Sequence, residues 1–217
     1  MIKSISYDQQ EIIKNIIHLH CPSGIELDPT YSKGVFYKNM QENEPLEKFD
    51  LFPQTDDTLQ ANANNLPHLD SQVSSIMFDP PFIVGHTKDK PSGIIGKRFH
   101  SFKYIKDLWQ WYDECIIEFN RILENKGILI FKCQDTVSSG KQHLSHCHII
   151  DFAEKNGFYT KDLFILLAKN RIVGHNHGNQ KHARKFHSYF IVFEKVSTVA
   201  QQRLYDANAQ SPDGDCV

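Results

Sequence analysis

Two short segments carry residue types that could do chemistry. One is Phe78-Asp79-Pro80-Pro81-Phe82, which closes the apolar run Ser74-Ser75-Ile76-Met77-Phe78. Neither of two successive prolines can donate to a strand ladder, so the run must stop there. Asp79 is thereby left at a strand's carboxyl end, where open α/β sheets bind ligands. A carboxylate in that place suits an exocyclic amino group of a nucleobase, whose lone pair is delocalised into the ring. If the carboxylate accepts one N–H and a backbone carbonyl fixed by Pro80-Pro81 accepts the other, the nitrogen becomes pyramidal and the pair is localised. Phe82 offers a ring on which an extruded base can stack. The plain alternative is a strand-ending turn, since Asp-Pro pairs are common in loops.

The other segment is Leu27-Asp28-Pro29-Thr30-Tyr31-Ser32-Lys33-Gly34, which follows the short apolar stretch Ile25-Glu26-Leu27. A turn of small residues lets the backbone approach a ligand closely. By itself it would read as a strand-to-helix turn capped by Asp, Thr or Ser. Two Asp-Pro segments, each after a strand, favour a shared functional role.

These segments need a scaffold. Hydrophobic periodicity predicts helices over Asp8–Leu19, Tyr104–Glu124 and Lys141–Asn156, with a short one from Val35 to Met40. Strands are expected at Ile25–Leu27, Phe49–Phe52, Thr58–Ala61, Ser74–Phe78, Ile128–Cys133, Leu163–Leu167 and His187–Glu194. Strands alternating with helices imply a mostly parallel sheet covered on both faces. The long connection Asn170–Lys185 leaves room for the final strand to be antiparallel. Phe82–Phe102 is a second long loop, of the kind that is usually functional or mobile. Residues 1–196 are expected to form one domain, and the polar stretch 197–217 a disordered tail.

On these residues the chain resembles the S-adenosylmethionine-dependent amino-methyltransferases, the DNA adenine-N6 and cytosine-N4 enzymes. Asp79, Pro80, Pro81 and Phe82 match the catalytic Asp-Pro-Pro-aromatic motif of that family. The segment Asp28, Pro29, Thr30, Tyr31, Ser32, Lys33, Gly34 resembles its cofactor motif, commonly Asp-Pro-Phe-x-Gly-x-Gly, with Thr30 in place of Phe and Ser32 in place of the first Gly. Phe36 is a nearby aromatic that could stand in. The resemblance further implies a cofactor-ribose acid after the second strand, Asp50 or alternatively Glu47. It also implies a polar contact to the cofactor adenine from Asn62, in Asn62-Ala63-Asn64-Asn65-Leu66-Pro67. Glu124-Asn125-Lys126-Gly127 resembles the turn that precedes the family's fifth strand. The implied fold is a Rossmann-like class I methyltransferase, α/β, with a mostly parallel seven-stranded sheet, an antiparallel final strand and helices on both faces. The implied cofactor is S-adenosyl-L-methionine, and the implied substrate is DNA, with adenine-N6 favoured because Asp rather than Ser precedes Pro-Pro. RNA, cytosine-N4 and a non-catalytic subunit of a larger complex are the alternatives. No large recognition insert is present, which leaves target choice to a protein partner or to weak specificity.

Charge agrees with a local rather than a global nucleic-acid surface. Lys and Arg number 24 against 26 Asp and Glu, so binding would need a patch. Two basic loops offer one: Lys97, Arg98 and Lys103 in the first, and Arg171, Lys181, Arg184 and Lys185 in the second. Lys88, Lys90 and Lys169 extend them, and acids gather instead between Glu42 and Asp57. Solvated loop charge is the alternative reading. Among the histidines, His143, His146 and His148 fall in one predicted helix and His175, His177, His182 and His187 in or near the second loop, with no HExxH, so surface histidines and no metal are expected. Five cysteines without CxxC spacing argue for reduced thiols and a cytoplasmic setting. No run of about 18 apolar residues and no apolar leader core is visible, so no membrane partner is expected.

Overall fold

The computed structural model describes residues 1–82, 84, 102–169 and 181–196. Its strands are β1 (Ile5–Ser6), β2 (Leu27–Asp28), β3 (Glu47–Asp50), β4 (Leu59–Gln60), β5 (Val73–Phe78), β6 (Leu123–Cys133), β7 (Thr136–Ser138), β8 (Lys141–His143), β9 (Phe158–Leu167) and β10 (His187–Lys195). Its helices are α1 (Gln9–His20), α2 (Ile105–Ile122) and α3 (Ser145–Lys155). Eight strands form one sheet in the order β1-β9-β10-β6-β5-β2-β3-β4, while β7 and β8 form a separate hairpin. Only β10 opposes the common direction, running antiparallel to both β6 and β9.

Burial alternates along the central strands and divides the core in two. Ile128 and Ile130 face α1, whose Ile12, Ile13, Ile16 and Ile17 are buried against them together with Phe164, Phe190 and Val192. Leu129, Phe131 and Cys133 face the other way, against Tyr112, Ile116 and Phe119 of α2 and Ile149 and Ala153 of α3. Helices thus cover both faces. The Asp8 carboxylate starts α1 by accepting the Gln10 amide at 2.8 Å, the usual side-chain cap of a helix start.

The sheet departs from expectation in its details. It has eight strands rather than seven, because Ile5–Ser6 adds an edge strand beside β9 that is too short to show a periodic pattern. Residues Lys141–His143 are not helical. They pair with Thr136–Ser138 across Ser139 and Gly140, both at positive φ (52° and 72°), as a two-residue hairpin turn requires. The helix begins only at Ser145. The expected Val35–Met40 helix is a 3-10 turn, Val35–Tyr37, followed by a second at Gln41–Asn43. Strand β9 starts at Phe158, well before Leu163, because its outer half is an alternating strand with polar Lys161 and Asp162 exposed or half-buried. The tail 197–217 lies outside the described residues. No helix of the described residues is long and apolar enough to cross a membrane.

The part of this scaffold that matters most for the candidate site is the end of β5. Phe78 is fully buried, and its ring meets Phe119 and Phe131 edge-on at 4.8 and 4.9 Å. This contact holds the residue immediately before Asp79. Phe78→Ala is expected to cost about 3–5 kcal/mol, readable as a lower urea midpoint. A midpoint within error of wild type would mean that the ring cluster does not anchor this strand.

Candidate active site

Strands β2, β5 and β6 run parallel side by side, so their carboxyl ends bring the two Asp-Pro segments together. The link between them is direct. The Thr30 hydroxyl accepts the Asp79 amide at 2.9 Å and donates to Asp28 Oδ1 at 3.2 Å. Asp28 Oδ1 also accepts the Thr30 amide at 2.8 Å, and Oδ2 accepts the Tyr37 hydroxyl at 2.9 Å. Asp28 is only 2% exposed. Burial pushes its carboxyl up to about 7, with the Thr30 amide and Tyr37 hydroxyl pulling the other way.

The turn that follows is tight. Ser32, where the resembling motif has glycine, sits at φ 54°, and Gly34 at φ 64°. A Cβ on Gly34 would lie 2.3 Å from the Tyr31 hydroxyl, so this position admits no side chain without a shift. The turn is tied to the next strand by Asp50. Its Oδ2 accepts the Ser32 amide at 2.9 Å and its Oδ1 the Phe52 amide at 2.7 Å. Burial raises the Asp50 carboxyl, and those two amides oppose the rise.

A cleft opens at this end of the sheet. Pro29, Thr30, Asp50, Asn62, Asp79 and Pro81 line it, with apolar Leu51, Phe52 and Ala63 and the indole of Trp111. Asp28 lies beneath it as a brace, and Ser32 and Gly34 shape its turn. Glu47, the alternative to Asp50, is at the start of β3 and pairs with His68 at 3.0 Å, away from the cleft. Phe36 does not line the cleft; its ring instead stands 4.5 Å from the Lys132 ammonium.

Asp79 keeps 29% of its side chain exposed, while Oδ1 is buried and makes no hydrogen bond. The Lys132 ammonium lies 3.3 Å from that oxygen. Burial pushes the Asp79 carboxyl above its usual range, and Lys132 draws it back. The Pro81 carbonyl accepts the Tyr112 hydroxyl at 2.7 Å, which anchors the motif to α2. On the far side, Phe82 lines a groove of about 470 Å³ together with Tyr7, Gln9, Gln134, Lys169, Lys185 and His187. Asp79 and Pro81 thus line a largely apolar cleft, while Phe82 lines a groove edged by basic and aromatic side chains.

Of the basic residues, Lys185 lines this groove, Lys181 and Arg184 are exposed beside it in sequence, and Lys103 is exposed at the start of α2, its ammonium 5.0 Å from the Tyr104 ring. Lys97, Arg98 and Arg171 lie outside the described residues, as do Lys88, Lys90, His175 and His177. The histidines of α3 are not free surface groups. His146 is half-buried and pairs with Asp135 at 2.7 Å, and His148 pairs with Asp113 at 2.8 Å while stacking on Trp109. Among the described residues no cluster of three or more His, Cys, Asp or Glu could hold a metal.

Three residues of the site were not singled out by sequence reasoning. Trp111 donates to the Asn62 side-chain oxygen at 3.3 Å and walls the cleft. Tyr112 lies within the expected helix Tyr104–Glu124 and holds the Pro81 carbonyl. Lys132 had one signal available: it is the single charge in the apolar run Ile128–Cys133.

No protein-family model matches the chain, and no curated protein matches it by sequence. Solved structures do resemble it. A protein from Bacillus halodurans C-125 described as a methyltransferase superposes with a TM-score of 0.54, at 11% identity, over 85% of this chain and 99% of that one. A Thermus thermophilus protein described as a DNA modification methylase, in complex with S-adenosyl-L-methionine, gives 0.42 at 15% identity over 63% of this chain and 52% of its own. TrmN from Thermus thermophilus gives 0.49 at 13% identity, covering 86% and 49%. The chain spans about half the length of these last two. Together with the strand order, the likeness to the first assigns the fold: it is that of the Rossmann-like class I methyltransferases.

Two measurements test the site. Thr30→Val deletes the acceptor for the Asp79 amide and should cost about 1–3 kcal/mol in denaturant unfolding, whereas Thr30→Ser should stay near wild type. Equal losses in both would remove the hydroxyl from this role. For Asp28 the folded-state value lies above the unfolded value of 3.8. The folded protein then holds a proton that the unfolded chain releases, so stability falls as pH rises through the window from 3.8 toward 7. Asp28→Asn lacks that slope. The stability of the variant relative to wild type should rise between about pH 5 and pH 7, and a flat difference would exclude Asp28 as a buried titrating acid.

Proposed function

We propose that this chain is an S-adenosylmethionine-dependent methyltransferase acting on the N6 amino group of adenine in DNA. The observation that carries the reading is the place of Asp79: at the end of β5, part exposed, lining the cleft, with Phe82 of the same motif lining the groove.

The donor set of the cleft fits the cofactor. Asp50 offers a carboxylate to ribose hydroxyls, Asn62 an amide oxygen to the adenine amino group, and Leu51, Phe52 and Ala63 apolar surface to the ring. Pro29, Thr30 and the turn through Ser32 and Gly34 would close around the remainder. When bound, S-adenosylmethionine supplies a methyl group on a positively charged sulfur.

The protein's own groups then have defined tasks. The target base leaves its stack and lies against Phe82. Asp79 accepts one N–H of the amino group. The Pro81 carbonyl is occupied by Tyr112, so the Pro80 carbonyl accepts the other. The lone pair is thereby directed toward the cleft, and holding the two reactants in line does most of the catalytic work. Lys185 and Lys169 along the groove would meet phosphates, giving affinity without sequence choice. Target choice would then fall to a protein partner.

The test supplies methyl-labelled S-adenosylmethionine with unmethylated DNA and, separately, RNA, and separates the nucleosides of the digested product. Label in N6-methyldeoxyadenosine is the expected result. Label in N4-methylcytosine or in RNA would keep the chemistry and replace the substrate. Asp79→Ala should reduce transfer at least about 100-fold while cofactor binding by calorimetry stays intact. A fully active variant would sink the role given to Asp79.

A further inference from the structure

Lys132 is a charge where the fold calls for an apolar residue. Along β6, Ile128 and Ile130 lie in the core face covered by α1, and Lys132 continues the same row. It is only 9% exposed. Strand register explains its neighbour. Met77 pairs with Ile130 and Phe78 with Phe131, so the next step along the two strands sets Asp79 beside Lys132. The side chain is held on every side. Its Nζ donates to Gln9 Oε1 of α1 at 3.1 Å, and it lies 4.5 Å from the Phe36 ring and 5.6 Å from the Phe190 ring. Cation–π contacts and one amide offset part of the desolvation of an ammonium, and the carboxylate of Asp79 supplies the counter-charge.

We infer that Lys132 is a positioning residue for Asp79: its ammonium fixes Oδ1, keeps the carboxyl ionised, and leaves Oδ2 as the acceptor that faces the substrate amine. This rests on the functional reading of Asp79 given above.

The surroundings of Asp79 show why a cation is needed there. Asp28 and Tyr37 approach from the turn after β2, Tyr112 from α2, and Thr30 holds the backbone amide. Asp28, Tyr37 and Tyr112 can only add negative charge or none. Lys132, from β6, is the one cation paired with Asp79 among the described residues. Without it, burial and the nearby Asp28 carboxylate would both favour a protonated Asp79. A protonated carboxyl has an O–H to donate and is a poorer acceptor for an amino group. A buried ion pair adds little net stability compared with apolar packing, so stability alone does not account for a lysine in this row.

The experiment follows the Asp79 carboxyl directly. Its ¹³C resonance, identified by its loss in Asp79→Asn, is titrated by NMR in the wild-type protein and in Lys132→Met, with Lys132→Gln as the second variant should the first not fold. The midpoint is expected to rise by about one pH unit or more, a tenfold gain in proton affinity. Lys132→Arg, which keeps the charge, is expected to hold the wild-type midpoint. If the neutral variants titrate where wild type does, the inference is overturned. In the methyl-transfer assay, the acid limb of the kcat profile should move to higher pH in Lys132→Met, with KM for DNA little changed; an unmoved limb with a uniform loss at all pH values would likewise overturn it. The titration needs no substrate. An absence of methyl transfer in wild type would therefore fail the functional reading, and a midpoint that does not move would fail this one.

Discussion

The Thr30 hydroxyl joins the ends of two neighbouring parallel strands, and the geometry of the site depends on it. It takes the Asp79 amide, which the following Pro-Pro pair leaves outside any ladder, and gives its own proton to Asp28. Because Asp28 is buried and also holds Tyr37, the hydroxyl is fixed from below rather than free to turn. The Asp79 segment is thus built on the Asp28 segment. Thr30, which departs from the phenylalanine of the resembling motif, has a structural reason to be polar.

A second constraint comes from aromatic packing behind the motif. Phe78 locks the end of β5 against Phe119 and Phe131, and Tyr112 both packs on Phe131 and holds the Pro81 carbonyl. Trp111, one residue earlier in α2, turns outward to wall the cleft and bond Asn62. One helix therefore positions the motif from the core side and finishes the cleft on the open side. Val84 and Phe102 bridge each other beside this helix, and Phe102 packs on Trp111.

Charge is rationed at this end of the sheet. Three carboxylates, Asp28, Asp50 and Asp79, crowd this end of the sheet, and burial raises each of them. Backbone amides and hydroxyls compensate the first two. Asp79 instead receives a lysine. A charged partner thus holds the carboxylate proposed to meet the substrate, and neutral donors hold the other two.

The sequence by itself determined the alternation of strands and helices and the two Asp-Pro segments, because hydrophobic period and proline chemistry are local properties; the direction of the last strand is set by its pairing with β6 and β9. Boundaries were less legible. Only the second arm of the Thr136–His143 hairpin looked helical, since Lys141, Gln142 and His143 carry no strand pattern and the turn depends on left-handed backbone at Ser139 and Gly140. Only tertiary structure separated Asp50 from Glu47, since β3 places the first at the cleft and the second at the opposite end against His68. It alone paired Lys132 with Asp79, turned Phe36 toward that lysine and gave Trp111 to Asn62. Each of these is a contact between residues far apart in the chain, set by strand register and helix rotation, and no local pattern encodes either.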